Sequence, residues 1–203
     1  HNKNKRIMSK EELNNEFDVA ARAQSAFVKA TKTKVENHEA LNDSEIALLC
    51  PVAMKTTMTN NEISKLGLSE HYSFVPTINV VNDLRALGFE CVGAEQVKAR
   101  KKTTNGYQKH MLTFENPKYK VEGAEEYPQL LLTNSHDGGN AFTLSAGIFR
   151  LICSNGLVIK TEDYGTSRLV HKGYSFEAVQ ELVNEFNVTL DEVLTRVTAM
   201  KQV

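Results

Sequence analysis

Apolar residues recur at helical spacing after Ser9, where Leu13, Phe17, Ala20, Ala21, Phe27 and Val28 punctuate SKEELNNEFDVAARAQSAFVKA. Ser9 is a candidate N-cap, and Glu11 and Glu12 fall in the first turn, where the helix dipole favours negative charge. The pattern predicts an amphipathic helix. Residues 41–55 keep a helical character until Pro51, which lacks a backbone donor and interrupts the run. A polar loop is expected over residues 56–61 and a short helix over residues 61–65, ended by Gly67. After Pro76, the segment TINVVNDLRALGF sets Ile78, Val81, Leu84 and Leu87 on one face, with Gly88 as the C-terminal stop.

The period then falls to two. Phe89, Cys91 and Val97 alternate with polar neighbours, and Asn105-Gly106 precedes YQKHMLTFE. Asn-Gly predicts a type I′ hairpin turn, which needs positive φ at both central residues. Residues 127–133 and 142–159 supply further strands, punctuated by Asp137-Gly138-Gly139 and Asn155-Gly156. Helical spacing returns after Ser175, a candidate cap for Phe176, Val179, Leu182, Val183 and Phe186. Thr189 or Asp191 is a candidate restart ahead of Val193, Leu194, Val197 and Met200. The expected class is α+β: a mostly antiparallel sheet with β-hairpins, packed against N-terminal and C-terminal helices. A helical appendage over residues 1–60 and an α+β core over residues 61–203 are the expected units.

Composition narrows the functions available. The chain has 203 residues, 41% of them hydrophobic, which is enough for a core. Its 24 Lys and Arg against 25 Asp and Glu give a net charge of −1, so attraction to nucleic acid or to an acidic membrane has to be local. The apolar runs fall far short of the roughly 20 residues a membrane helix needs, and no membrane partner is expected. Cys50, Cys91 and Cys153 form no CxxC pair, so neither a disulfide framework nor a structural zinc site is indicated, and a cytoplasmic setting is expected. The opening HNKNKRIM is expected to be a trimmed terminus or a tag remnant.

Two segments carry candidate chemistry. Residues 96–114 hold Lys98, Arg100, Lys101, Lys102 and Lys109, hold no acid before Glu115, and place Tyr107 beside the Asn-Gly turn. A basic hairpin with a ring suits a phosphate backbone and a stacked base. Lysines on a sheet edge also block unwanted strand pairing, which is the plain structural alternative. In NSHDGGN, residues 134–140, Asp137 can close an Asx-turn, and Gly138, Gly139, Asn134 and Asn140 tolerate positive φ. The same segment offers His136 and Asp137 for a metal or a proton, and backbone amides for a phosphate. Ser135-His136-Asp137 is not a hydrolase triad, because consecutive residues on an extended chain point apart.

Arg150 interrupts GIFRLIC, where a guanidinium needs solvent, a carboxylate or a phosphate. Cys153 reads as a buried thiol ahead of a nucleophile. His110, His136 and His171 are too far apart in sequence to constrain a metal site, and no metal or cofactor is assigned. No GxSxG elbow, phosphate-binding GxxxxGKS loop, GxGxxG fingerprint or HExxH helix occurs.

The run LLLTNSHDGGNAFTLSAGIFRLICSNGLVI resembles the signature of the phage- and plasmid-borne domain-of-unknown-function family 932: an NSHDG turn, a small-residue FRxxC strand and an NG step. Residues 72–90, 107–114 and 168–173 resemble the family's flanking blocks, so the likeness spans residues 66–200 or so. The resemblance marks His110, Asn134, Ser135, His136, Asp137, Gly138, Arg150, Asn155 and His171 as a family-motif surface. It also implies a setting in phage, prophage or plasmid DNA metabolism.

The order helix, antiparallel strands, helix is similar to that of phage single-strand annealing proteins, which form oligomeric rings and bind single-stranded DNA along a basic groove; this is analogy at the level of the fold. The expected function is therefore binding or annealing of single-stranded nucleic acid, with a homo-oligomer implied and a binding role ahead of catalysis. The alternatives are a metal-dependent hydrolase or nuclease using His136 and Asp137, and a phage or plasmid protein that binds a host defence component or nucleotide signal. The slightly acidic net charge runs against a strong non-specific DNA binder.

Overall fold

A computed structural model describes residues 10–120, 126–151, 158–169 and 174–200. Among the described residues, five α-helices and a five-stranded antiparallel sheet make an α+β fold, with the strands in sequence order β1-β2-β3-β4-β5. Helices α1 (Lys10–Glu36), α2 (Asp43–Leu49), α3 (Asn60–Lys65) and α4 (Thr77–Ala86) precede the sheet. The strands are β1 (Glu90–Gln96), β2 (His110–Glu115), β3 (Glu126–Asn134), β4 (Phe142–Leu151) and β5 (Val158–Leu169), and α5 (Phe176–Met200) follows the sheet.

The helix punctuation acts where the chemistry says it should. Pro51 ends α2 and opens a 3-10 turn, Pro51–Met54. Asn42 and Glu45 form a reciprocal capping box on α2, as Thr59 and Glu62 do on α3. Gly88 takes φ 89° after α4, and the Ser175 hydroxyl accepts from the Ala178 amide to cap α5. No restart occurs at Thr189 or Asp191: α5 runs through, with the Thr189 hydroxyl donating back to the Glu185 carbonyl at 3.0 Å.

One face of the sheet is a ladder of apolar rungs. Phe114 pairs with Cys91 and Leu130, which faces Ala146; Leu112 pairs with Ala94 and Leu132, which faces Leu144. Ile78, Val80, Val81 and Leu84 of α4 and Val179, Leu182, Val183, Phe186 and Leu190 of α5 join these side chains in one cluster. Phe89 stacks on Phe186 at 6.3 Å between ring centroids, and the hydroxyl of Tyr174, just ahead of α5, donates to Asp83 of α4. Leu41, Ile46, Cys50 and Ala53, from the segment expected to be an appendage, lie in the same cluster. α1 forms as expected but leaves Phe17 70% exposed, while its end seats against the body through Thr31 and Val35.

Two expectations in the β1–β2 region are corrected. Val97 does not share the inward face with Cys91. A bulge between Cys91 and Gly93 shifts the register by one residue, and this slip sends Glu95 and Val97 outward, Val97 to 51% exposure. The Asn105-Gly106 turn is type II, not type I′. Asn105 has φ −68° and ψ 124°, only Gly106 has positive φ (90°), and the Tyr107 amide donates to the Thr104 carbonyl at 3.1 Å. The strands end at Gln96 and His110, so this turn sits within a longer connection and its twist need not match theirs.

Bulges also mark the other rim. β5 skips Tyr164 and Thr161 in its register with β4, at Ala146/Gly147 and Ile148/Phe149.

Candidate functional site

The apolar ladder ends in a polar rung. On the inward face of β2 and β3, His110 and Asn134 are directly paired, where the rungs beside them are leucine and phenylalanine. Both are buried, so their polar atoms need partners inside the protein. The first residue of α4 supplies one. Thr77 Oγ1 lies 2.7 Å from His110 Nε2 and accepts from Asn134 Nδ2 at 3.1 Å, and the same amide nitrogen donates to the Val75 carbonyl at 3.4 Å.

These contacts fix the His110 tautomer. Its Nδ1 lies 3.0 Å from the Gln108 carbonyl, which can only accept, so Nδ1 carries the proton and Nε2 accepts from the Thr77 hydroxyl. Burial pushes the His110 pKa below its ordinary value, while the Gln108 carbonyl and the nearby Asp137 carboxylate pull the other way. Thr77, His110 and a carbonyl follow the order of a nucleophile, a base and its orienting group. With Thr77 and His110 both buried, the arrangement holds an interior together rather than presenting a nucleophile.

The NSHDG turn wraps over this rung as the β3–β4 connection. Ser135 Oγ accepts from the Asn140 amide at 2.9 Å, and Asp137 Oδ1 accepts from the Gly139 amide at 2.9 Å, the expected Asx-turn. Gly138 takes φ 74°, and a Cβ there would stand 2.4 Å from Leu68 Cδ2, so the turn is seated on the segment ahead of α4. The His136 ring is buried, with its centroid 5.0 Å from that of His110 and 4.7 Å from that of Phe74. Tyr72 belongs to the same neighbourhood: burial, and then the Asp137 charge, push its phenol up to about 12. Asn134, Ser135, His136 and His110, expected at a family-motif surface, are thus interior: Thr77 of α4 meets His110 and Asn134, while Phe74 and the Tyr107 carbonyl meet His136.

This interior holds the basic loop. The His136 amide donates to the Tyr107 carbonyl at 2.8 Å, His110 takes the Gln108 carbonyl, and Gln108 Oε1 accepts from the Gly106 amide at 2.7 Å. Outside these anchors Lys98, Arg100, Lys101, Lys102 and Lys109 are all exposed. None of the five forms an ion pair with a described residue. Tyr107 is half-buried: its hydroxyl donates to Glu62 Oε1 at 2.5 Å, and Lys55 Nζ sits 4.7 Å from its ring centroid.

Other expected residues lie apart or outside. Arg150 has a described backbone, paired with Glu126 and Ile159, but Cys153, Asn155 and His171 fall outside the described residues. Among the described residues no three His, Cys, Asp or Glu side chains gather as a metal cluster. No described helix is long and apolar enough to cross a membrane. Thr77, Gln108, Lys55 and Glu62 were not singled out from the sequence. The signals around them, Pro76 before a helix and Thr59-x-x-Glu62 before another, indicate helix starts and nothing more.

A family model described as "Domain of unknown function (DUF932)" matches residues 67–203, which includes the polar rung, its turn and the basic loop. The UPF0380 protein YafZ of Escherichia coli K12 is 34% identical over 133 residues, covering 66% of this chain and 48% of that protein. The UPF0380 protein YfjQ of the same organism is 36% identical over 105 residues, covering 52% of this chain and 37% of that protein. The chain spans about half or less of the length of these relatives. No solved structure matches it.

Proposed function

The chain belongs to the DUF932 family, whose description assigns no function, and on the geometry we propose that it binds single-stranded nucleic acid through the loop between β1 and β2. One observation carries the reading: five cations on one short acid-free loop are exposed and lack ion-pair partners among the described residues, while the loop itself is pinned to a buried polar network. Cations that serve only as a solvated surface have no need of such anchoring. A loop that must hold its charges against a phosphate backbone does, because fixing it beforehand lowers the entropy lost on binding. The motif residues His110, Asn134, Ser135 and His136 act in this reading as the frame of the interface rather than as its surface.

The finer parts of the proposal are strand annealing, assembly into a homo-oligomer, and a role in phage, prophage or plasmid DNA metabolism in a cytoplasm. Free Cys50 and Cys91 suit a reducing compartment.

The test is filter binding of single-stranded oligonucleotides across a salt series. If all five cations meet phosphates, log K should fall with log salt at a slope of about −3.5. Replacing Lys98, Arg100, Lys101, Lys102 and Lys109 by glutamine should weaken binding and flatten the slope without changing the melting temperature. Absence of binding at low salt, or equal binding by the neutralised variant, would refute the proposal.

A further inference from the structure

We propose that Lys55 is a further phosphate-binding cation of this face, held in reserve by Glu62, whose carboxylate occupies the place a nucleic-acid phosphate takes between Lys55 and Tyr107. The inference rests on the single-strand reading above. It adds a residue distant in sequence from the basic loop and gives the interface an internal competitor.

The geometry is that of a small electrostatic latch. Glu62 Oε1 accepts from Lys55 Nζ at 2.8 Å and from the Tyr107 hydroxyl at 2.5 Å. Glu62 Oε2 closes the capping box, accepting from the Thr59 amide at 2.7 Å and the Thr59 hydroxyl at 2.9 Å. Both oxygens are thus doubly engaged. The ammonium that pairs with Glu62 also covers one face of the Tyr107 ring, a cation–π contact. Lys55, Glu62 and Tyr107 therefore occupy one another at the foot of the loop.

The latch opens by competition rather than by pH. Lys55, then the Thr59 amide, then the Tyr107 hydroxyl hold the Glu62 carboxyl well below the usual carboxylate range, so it stays charged wherever the protein is folded near neutrality. The Lys55 and Glu62 side chains are 24% and 27% exposed, and ion pairs this open to water are weak. A backbone phosphodiester offers Lys55 the same single negative charge on two non-bridging oxygens. When a strand lies along the loop, a phosphate exchanged for Glu62 takes the carboxylate's place beside the Lys55 ammonium and the Tyr107 hydroxyl.

The test uses Glu62→Gln, which keeps a capping side chain at the third position of α3 but removes the charge. With a thymidine homo-oligonucleotide as probe, E62Q should bind several-fold more tightly than the native chain. Its salt slope should steepen by about 0.7, the contribution of one more phosphate. Adding Lys55→Gln to E62Q should abolish both gains. Thr59→Ala, which loosens the cap while leaving the carboxylate charged, should give neither. An unchanged or weaker E62Q, or the same gain from T59A, overturns the latch while loop-dependent binding by the native chain leaves the single-strand reading standing. Failure of the native chain to bind overturns both.

Discussion

Thr77 Oγ1 stands 2.7 Å from His110 Nε2, and through this contact the first turn of α4 is tied to the last, polar rung of the sheet. The hydroxyl serves two partners, since it also accepts from Asn134 Nδ2. Thr77→Val preserves shape but leaves both partners buried without it, at about 1 to 3 kcal/mol for each stranded group. Thr77→Ser keeps the hydroxyl and should lose far less. Urea denaturation with an unchanged slope for both variants checks the difference; equal losses would mean that the methyl, not the hydroxyl, matters.

Acid should attack the same rung. The folded protein holds the His110 pKa below its ordinary value of 6.5, chiefly through burial, so the unfolded chain binds the extra proton first. Stability from this group is complete above that ordinary value and is lost as the pH falls below it, toward the depressed folded value. Melting temperatures measured from about pH 7.5 to about pH 5 should fall, and His110→Gln should start lower but vary less over this window. An undiminished slope in the variant assigns the acid sensitivity elsewhere.

Gly138→Ala meets two obstacles of different kinds. Its φ of 74° costs a residue with a side chain about 1 to 3 kcal/mol, and the added Cβ runs into Leu68 Cδ2. Leu68→Ala in the same chain should relieve the collision and leave the backbone cost. A double-mutant cycle by chemical denaturation reads the split; strict additivity would show that the turn moves away from Leu68 instead.

The three leucines of β3 should separate by face. Leu130 and Leu132 are buried in the ladder, and Leu131, between them, is partly exposed on the other side. Leu132→Ala should cost about 2 to 5 kcal/mol. Leu131→Ala should cost nearer 1 kcal/mol, about what an average substitution costs. Reversal of this order in denaturation midpoints would mean that the strand register is shifted by one residue.

The same alternation shows what a sequence can convey. Pro51, Gly88, Ser175 and Asp137 act through their own covalent structure, so the helix ends, the cap and the Asx-turn they make were legible before any fold was known. Val97 was not, because the bulge at Val92 inverts the strand's faces and no residue type announces it. Asn105-Gly106 promised a turn and gave one, but its type depends on where the strands stop, which the sheet register decides. The basic loop could be seen as charge, whereas its anchoring could not. His136 and His110 reach it through backbone carbonyls, and a carbonyl leaves no mark in a sequence.

Bulges lie on both outer strands, at Val92 in β1 and at Tyr164 and Thr161 in β5, and the Cys91 carbonyl at the β1 rim is already taken by the Leu41 amide at 2.8 Å. A strand arriving from another molecule would meet a broken ladder at either rim and find no continuous row of donors and acceptors to copy. Each broken register thus lowers the chance of adventitious strand pairing along that described edge.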